Sequence, residues 1–245
     1  MNRVIGVVCE GPTDYEAIKR IVDMVTQEEN DYRRLQPDES LAGRFGNGWK
    51  GVWKWCENHG SILHDYMRKV TPQIDCLIVH MDGDVSRKEK EVHCACNAIA
   101  CEQAGIVHPL DCPICKDGKC PVVFPCADHE TGRYAFHLRD LIAAWLRISA
   151  ESPPIIITIP CDSIDTWVAA AYGDLANECE THPDPWHSII ARGAHYHSTR
   201  IHGDSKKVSV YRILADNLCK EWGMVKGCCP QAQAFETDIS QKLLS

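Results

Sequence analysis

Two short apolar runs in this chain each pass without interruption into acidic residues: residues 3 to 9, RVIGVVC, lead to Glu10, and residues 75 to 81, DCLIVHM, lead to Asp82-Gly83-Asp84. Runs of this length, rich in Val and Ile and without polar alternation, are what strands covered on both faces look like. A third run, residues 154 to 159 with sequence PIIITI, ends at Pro160 and is followed within a few residues by Asp165. Three buried strands with carboxylates just beyond their ends restrict the chain to sheet architectures whose strand ends open onto a crevice.

The intervening segments read as helices. Thr13-Asp14-Tyr15-Glu16 has the form of a capping box, with Thr13 as N-cap and Glu16 at N3, and Ile18, Ile21, Val22 and Val25 follow at helical spacing. Residues 31 to 36 suit a second strand. The Gly-rich stretch 43 to 51 precedes one Trp-rich helix ending near Val70, with Pro72 closing it. Helices are expected from about Lys88 to Ala104, from Arg133 to Ile148, and after Asp162 or Ser163, either of which can cap the helix carrying Asp165 and Trp167. Residues 174 to 205 read as irregular and rich in His and Pro, followed by helices near 207 to 222 and 231 to 243. Alternating strands and helices define an α/β fold with a mainly parallel central sheet flanked by helices, with a Cys-rich insertion and a helical C-terminal part.

With 245 residues the chain can bury one sizeable core. A formal charge of −8 argues against coating nucleic acid by bulk electrostatics, so any such contact has to be local. Arg33 and Arg34, the run Ser86 to Lys90, and Lys206-Lys207 are the local basic candidates. The N-terminal segment has too few apolar residues before Glu10 for a signal peptide or membrane span, which leads us to expect a cytoplasmic protein without membrane contact. In a reducing compartment its 15 cysteines are then free thiols or metal ligands, and Cys9 and Cys76 read as buried thiols.

In an open parallel sheet, functional groups collect at the carboxyl ends of the strands. Glu10, Asp82, Asp84 and Asp165 all fall there. If the strand conformation persists through Gly83, the side chains of Asp82 and Asp84 point the same way, about 6 to 7 Å apart. Such carboxylates repel unless a cation lies among them, and an all-oxygen set selects Mg²⁺ or Mn²⁺.

VVCEGPTDYEAI followed some seventy residues later by LIVHMDGD resembles the Toprim domain of topoisomerases, primases and several nucleases. The resemblance covers about residues 1 to 175, with the Cys-rich insertion at about 105 to 130, and leaves 176 to 245 as a His-rich segment and C-terminal helices packing on the core. The EGPTD form, with a second acid at Asp14, is similar to the OLD-type (overcoming lysogenisation defect) defence nucleases and related small Toprim proteins. It implies a Rossmann-like fold and two metal ions held by Glu10, Asp14, Asp82 and Asp84, with Asp165 as a further acid where related proteins carry Glu. It also implies phosphodiester cleavage in DNA or RNA as part of anti-phage defence. A lysine beside the phosphate would balance developing charge, and Lys206 or Lys207 is the candidate. No GxxxxGK[ST] motif occurs in the chain, so an ATPase partner would be a separate polypeptide; homo-oligomerisation is left open. The alternative is a non-hydrolytic Toprim module that binds nucleic acid or nucleotide phosphates through Mg²⁺ within a complex. A phosphotransferase with Asp82 as nucleophile fits poorly, because Val85 follows Asp84 where such enzymes need Thr.

Cys112, Cys115, Cys120 and Cys126 have the character of a zinc knuckle that would staple the insertion, with Cys94, Cys96, Cys101, His93 or His129 as alternative fourth ligands. His182, His187, His195, His197 and His202 read as surface residues, any one of which could serve as a base or orient a phosphate. Cys228-Cys229 has no assignment at this level.

Overall fold

The structure, a computed structural model, describes residues 2–37, 47–86, 131–175, 179–182, 184–201 and 206–244. The four candidate zinc cysteines Cys112, Cys115, Cys120 and Cys126, their alternative ligands, the Cys-rich insertion, the basic residues 87–90, the helix expected from Lys88, and His202 lie outside these residues.

The architecture is α/β. Strands β1 (Val4–Val8), β2 (Asp31–Gln36), β3 (Cys76–His80) and β4 (Ile155–Thr158) form a sheet in the order β2-β1-β3-β4, with each neighbouring pair parallel. The alternation of side chains divides the core in two. Ile5 and Val7 of β1, Cys76 and Ile78 of β3 and Ile156 of β4 face one layer, whereas Val8, Leu77, Val79, Ile155 and Ile157 face the other. Every residue of β3 is buried, as its apolar run requires.

The first layer contains α1 (Pro12–Thr26), α5 (Ile164–Ala171), α7 (Val208–Lys220), α8 (Trp222–Cys228) and α9 (Pro230–Leu243). The second contains α2 (Trp49–Gly60), α3 (Leu63–Lys69) and α4 (Thr131–Trp145). Within the first layer Trp167 of α5 is fully buried, edge-on to Trp222 at 5.8 Å and stacked on Phe235 at 6.0 Å.

Several local expectations are corrected. Helix α1 begins two residues earlier than the capping-box reading placed it: Gly11 is the N-cap, Pro12 occupies the first turn, and the Asp14 carboxylate at N3 accepts the Gly11 N–H at 2.8 Å. Proline at this position suits a helix start because its fixed φ is helical and its missing N–H would have had no helical partner. Glu16 is thereby released from capping and takes both ends of the Arg212 guanidinium at 3.1 Å, tying α1 to α7. The Trp-rich stretch is two helices separated at Ser61-Ile62, with the Trp55 and His59 rings stacked at 4.3 Å and the Tyr66 edge against Trp55. Residues 174 to 205 are not wholly irregular. They include α6 (Pro185–Ile190) and a small antiparallel hairpin of β5 (His195–Tyr196) and β6 (Thr199–Arg200). The C-terminal part has α8 in addition to the two helices expected. No helix among the described residues is long and apolar enough to cross a membrane.

Candidate metal centre

After β1 the chain leaves through α1 to β2 at one edge, then returns to β3 on the other side of β1. The two strands therefore diverge in connection at their carboxyl ends, the position at which open parallel sheets form a crevice. Glu10 and Asp82 flank this crevice. They are joined directly: the Asp82 backbone N–H donates to Glu10 Oε1 at 2.9 Å. The other side of Glu10 is set by Gly48, whose N–H donates to the Glu10 carbonyl at 3.1 Å. Gly48 has φ +70°, a conformation that favours glycine, and it begins α2 beside the Glu10 carboxylate.

Beyond Asp82 the extended conformation does not continue. Gly83–Ser86 form a 3-10 turn, so the expected side-by-side projection of Asp82 and Asp84 from one strand is replaced by a turn. Its cause is contact with the segment after β4. The Asp84 N–H donates to the Asp162 carbonyl at 2.8 Å, and a Cβ on Gly83 would come within 2.3 Å of the Pro160 carbonyl oxygen and 2.7 Å of that of Cys161. Only glycine allows the two backbones to approach this closely.

Asp165 enters from the first turn of α5 and is fully buried. Ser163, the N-cap of that helix, donates its hydroxyl to Asp165 Oδ2 at 3.1 Å rather than capping the backbone. Lys206 Nζ lies 2.5 Å from the same oxygen, with its ammonium 5.3 Å from the Trp186 ring centre. Lys207 is exposed at the N-cap of α7. Of the two lysines, Lys206 is the one the fold carries to an acid.

The electrostatics follow from burial and crowding. Burial first, then the charges of Asp14, Glu10 and Asp84, push the Asp82 carboxyl well above the usual carboxylate range, with Lys206 acting in the opposite sense. Burial also raises Asp165, against the lowering influence of Lys206. Burial by itself would lower Lys206, but Asp165, Asp82 and Asp14 outweigh it and leave the ammonium more firmly protonated.

Asp82 Oδ1 and Asp165 Oδ1 are both buried without a hydrogen-bond partner. Two buried carboxylate oxygens without hydrogen-bond partners fit a hard divalent cation, with His80 Nε2 3.5 Å from the Asp82 oxygen and the Lys206 ammonium on the other oxygen of Asp165. The acids do not close on one another as a preformed cage, however. Among the described residues, the donor atoms that meet as a set of three within 4.8 Å are the Sγ atoms of Cys179, Cys228 and Cys229. Glu10 and Asp14 each have an oxygen engaged by a backbone N–H.

His80 was not marked as a site residue by sequence reasoning. It is fully buried at the end of β3, opposite Thr158 in the register, and its Nε2 is 3.5 Å from Asp82 Oδ1. Burial lowers its pKa and favours the neutral ring. The available signal was a polar residue interrupting an otherwise apolar strand. Trp186 and Ser163 carried no local signal for their contacts with Lys206 and Asp165.

The remaining histidines have other surroundings. His197 stacks on Tyr172 at 4.3 Å and pairs through Nε2 with Asp174 at 3.0 Å, and the same carboxylate receives the Tyr196 hydroxyl and the Arg192 guanidinium. His182 Nε2 is 3.3 Å from the Ser188 hydroxyl, while His187 and His195 are exposed. Arg33 donates to the carbonyls of Thr71 and Pro72, and Arg34 lies over the Tyr15 ring.

Comparison with protein-family models, with curated proteins and with solved structures finds no match to this chain. The fold and its acids define an α/β protein in which Glu10 and Asp82 meet at the switch point of the parallel sheet.

Proposed function

We propose that the protein is a divalent-metal-dependent phosphodiesterase of the Toprim type that cuts DNA or RNA. The observation that carries this reading is the hydrogen bond from the Asp82 N–H to Glu10 Oε1, which brings the EGPTD and DGD segments together at one crevice. Glu10, Asp82 and Asp84 would hold one or two Mg²⁺ or Mn²⁺ ions, with Asp14 and Asp165 at the margin. Bound ions at such a centre act as Lewis acids and lower the pKa of water, which supplies nucleophile and leaving-group stabilisation for phosphodiester hydrolysis.

The chain's own residues orient that chemistry. Glu10 is held by the Asp82 and Gly48 amides, Asp84 by the carbonyl of Asp162, and Asp165 by Ser163 and Lys206. Lys206 keeps its proton at neutral pH and offers positive charge close to where phosphate oxygens would lie. The resemblance to OLD-type proteins suggests a role in anti-phage defence, with a separate ATPase polypeptide as partner.

A second reading is favoured by two observations. Lys206 is paired with Asp165, and the chain carries net charge −8, which suits a module that holds metal and nucleotide phosphates without cutting.

The two readings separate when purified protein is incubated with plasmid, single-stranded DNA and tRNA in Mg²⁺, Mn²⁺ or EDTA, beside Glu10→Gln and Asp82→Asn variants. Metal-dependent cleavage lost in both variants is expected. Metal-dependent binding of these nucleic acids without cleavage, in the presence of any co-purifying ATPase, would replace the first reading with the second.

A further inference from the structure

A second cluster of ligating groups lies outside the acidic crevice. Cys179 belongs to the segment beyond α5, Cys228 ends α8, and Cys229 is the N-cap of α9. Their three Sγ atoms lie within 4.8 Å of one another. Cys179 and Cys229 are buried and Cys228 is half-buried, so the group has one open side.

The dimensions suit a tetrahedral ion. Zinc–sulfur bonds of about 2.3 Å place neighbouring sulfurs of a tetrahedron about 3.8 Å apart. The Sγ atoms of Cys228 and Cys229 are 3.8 Å apart. Adjacent residues rarely direct two side chains to one point within a helix, because successive positions are about 100° apart around its axis. Here the break between α8 and α9 allows it, with Cys229 extended at φ −121° and ψ 91°. Three thiol sulfurs are soft donors and discriminate against the hard ions suited to the carboxylates.

Glu180, the neighbour of Cys179, ties this segment to two other elements. Its carboxylate accepts the Gln231 N–H at 2.9 Å from the first turn of α9 and the Cys161 thiol at 3.2 Å from the loop after β4. The same loop supplies the Pro160 and Cys161 carbonyls against which Gly83 packs.

We propose that Cys179, Cys228 and Cys229 form a three-thiolate zinc site, with the fourth position of the tetrahedron open to water on the exposed side of Cys228, that staples the segment beyond α5 to the α8–α9 junction and, through Glu180 and Cys161, braces the loop behind the Asp82-Gly83-Asp84 turn. Binding replaces thiol protons by the ion and changes no oxidation state. The site is separate from the cysteines of the 105 to 130 segment and uses no part of the phosphodiesterase reading.

The test is the zinc content of protein purified without added chelator, measured for the wild type, for Cys179→Ser, for the double variant Cys228→Ser with Cys229→Ser, and for a variant in which Cys112, Cys115, Cys120 and Cys126 are all replaced by Ser. The expected result is a loss of about one zinc per chain in the first two variants and its retention in the third. Zinc-edge X-ray absorption on the third variant keeps the test independent of whether the other variants fold; about three sulfur neighbours at about 2.3 Å are expected. Absence of zinc from that third variant, a zinc shell without sulfur, or a disulfide involving Cys179 found in the purified wild type by mass spectrometry would each overturn the proposal.

Discussion

Lys206 and Asp165 form an ion pair of 2.5 Å in which the carboxylate is fully buried while the lysine side chain is 36 % exposed. The pair joins the residues preceding α7 to the first turn of α5 and places an ammonium beside the candidate metal acids, where Asp82 also feels it. Its asymmetry in burial determines what its disruption should cost.

Lys206→Met should leave Asp165 charged and buried without its partner. Breaking a fully buried pair costs about 3–5 kcal/mol, and the exposure of the lysine reduces the expected loss here to about 1–3 kcal/mol. The double variant Lys206→Met with Asp165→Asn should recover part of that loss. Urea denaturation of the two single variants and the double variant measures the coupling, and additive single effects would show that the pair contributes no stability.

Asp82→Asn should stabilise the metal-free protein and, on the proposed phosphodiesterase reading, abolish metal-dependent cleavage. The stability effect follows from linkage. The folded pKa of Asp82 is raised by burial and by Asp14, Glu10 and Asp84, so its ionised form opposes folding at neutral pH. That penalty shrinks as pH falls through the raised folded value and vanishes below the unfolded value of about 3.9. Unfolding midpoints in EDTA should therefore be higher for Asp82→Asn at pH 7 and converge with wild type in acid. A lower midpoint for the variant at pH 7 would contradict the argument.

Gly83→Ala should displace the turn that carries Asp84. Its Cβ would meet backbone oxygens of Pro160 and Cys161 at 2.3 and 2.7 Å, which cannot rotate away as a side chain could. The expected loss is about 1–3 kcal/mol, typical of forced overpacking, together with weaker Mn²⁺ binding in isothermal titration. Unchanged stability and unchanged Mn²⁺ affinity would show that the loop after β4 can move.

Trp167→Ala should cost about 3–5 kcal/mol, because the indole is fully buried between Trp222 and Phe235. Asp165 is two residues earlier on the same helix, so loosening of α5 should reach the site as well. Thermal unfolding gives the first effect, and the Mn²⁺ affinity of the folded fraction gives the second.

Strands, their order along the chain and the acids that end them are legible in the residues themselves. The β-branched runs at β1, β3 and β4 specify buried strands locally, and Glu10, Asp82 and Asp84 follow directly in sequence. The neighbouring helix α1 was also legible, but not its first residue, because the pattern at Thr13 and Glu16 competes with the start provided by Gly11 and Pro12. What packing alone decided are relations between distant segments. The Asp82 amide meets Glu10 across 72 positions, and Lys206 meets Asp165 across 41. The turn at Gly83 departs from strand geometry because a backbone from beyond β4 lies against it, and Cys179 reaches Cys228 and Cys229 only because α8 and α9 break where they do. Local patterns report which face of a strand or helix is apolar. They carry no information about which polar group waits at the same end of a neighbouring element, since that depends on how the buried faces stack.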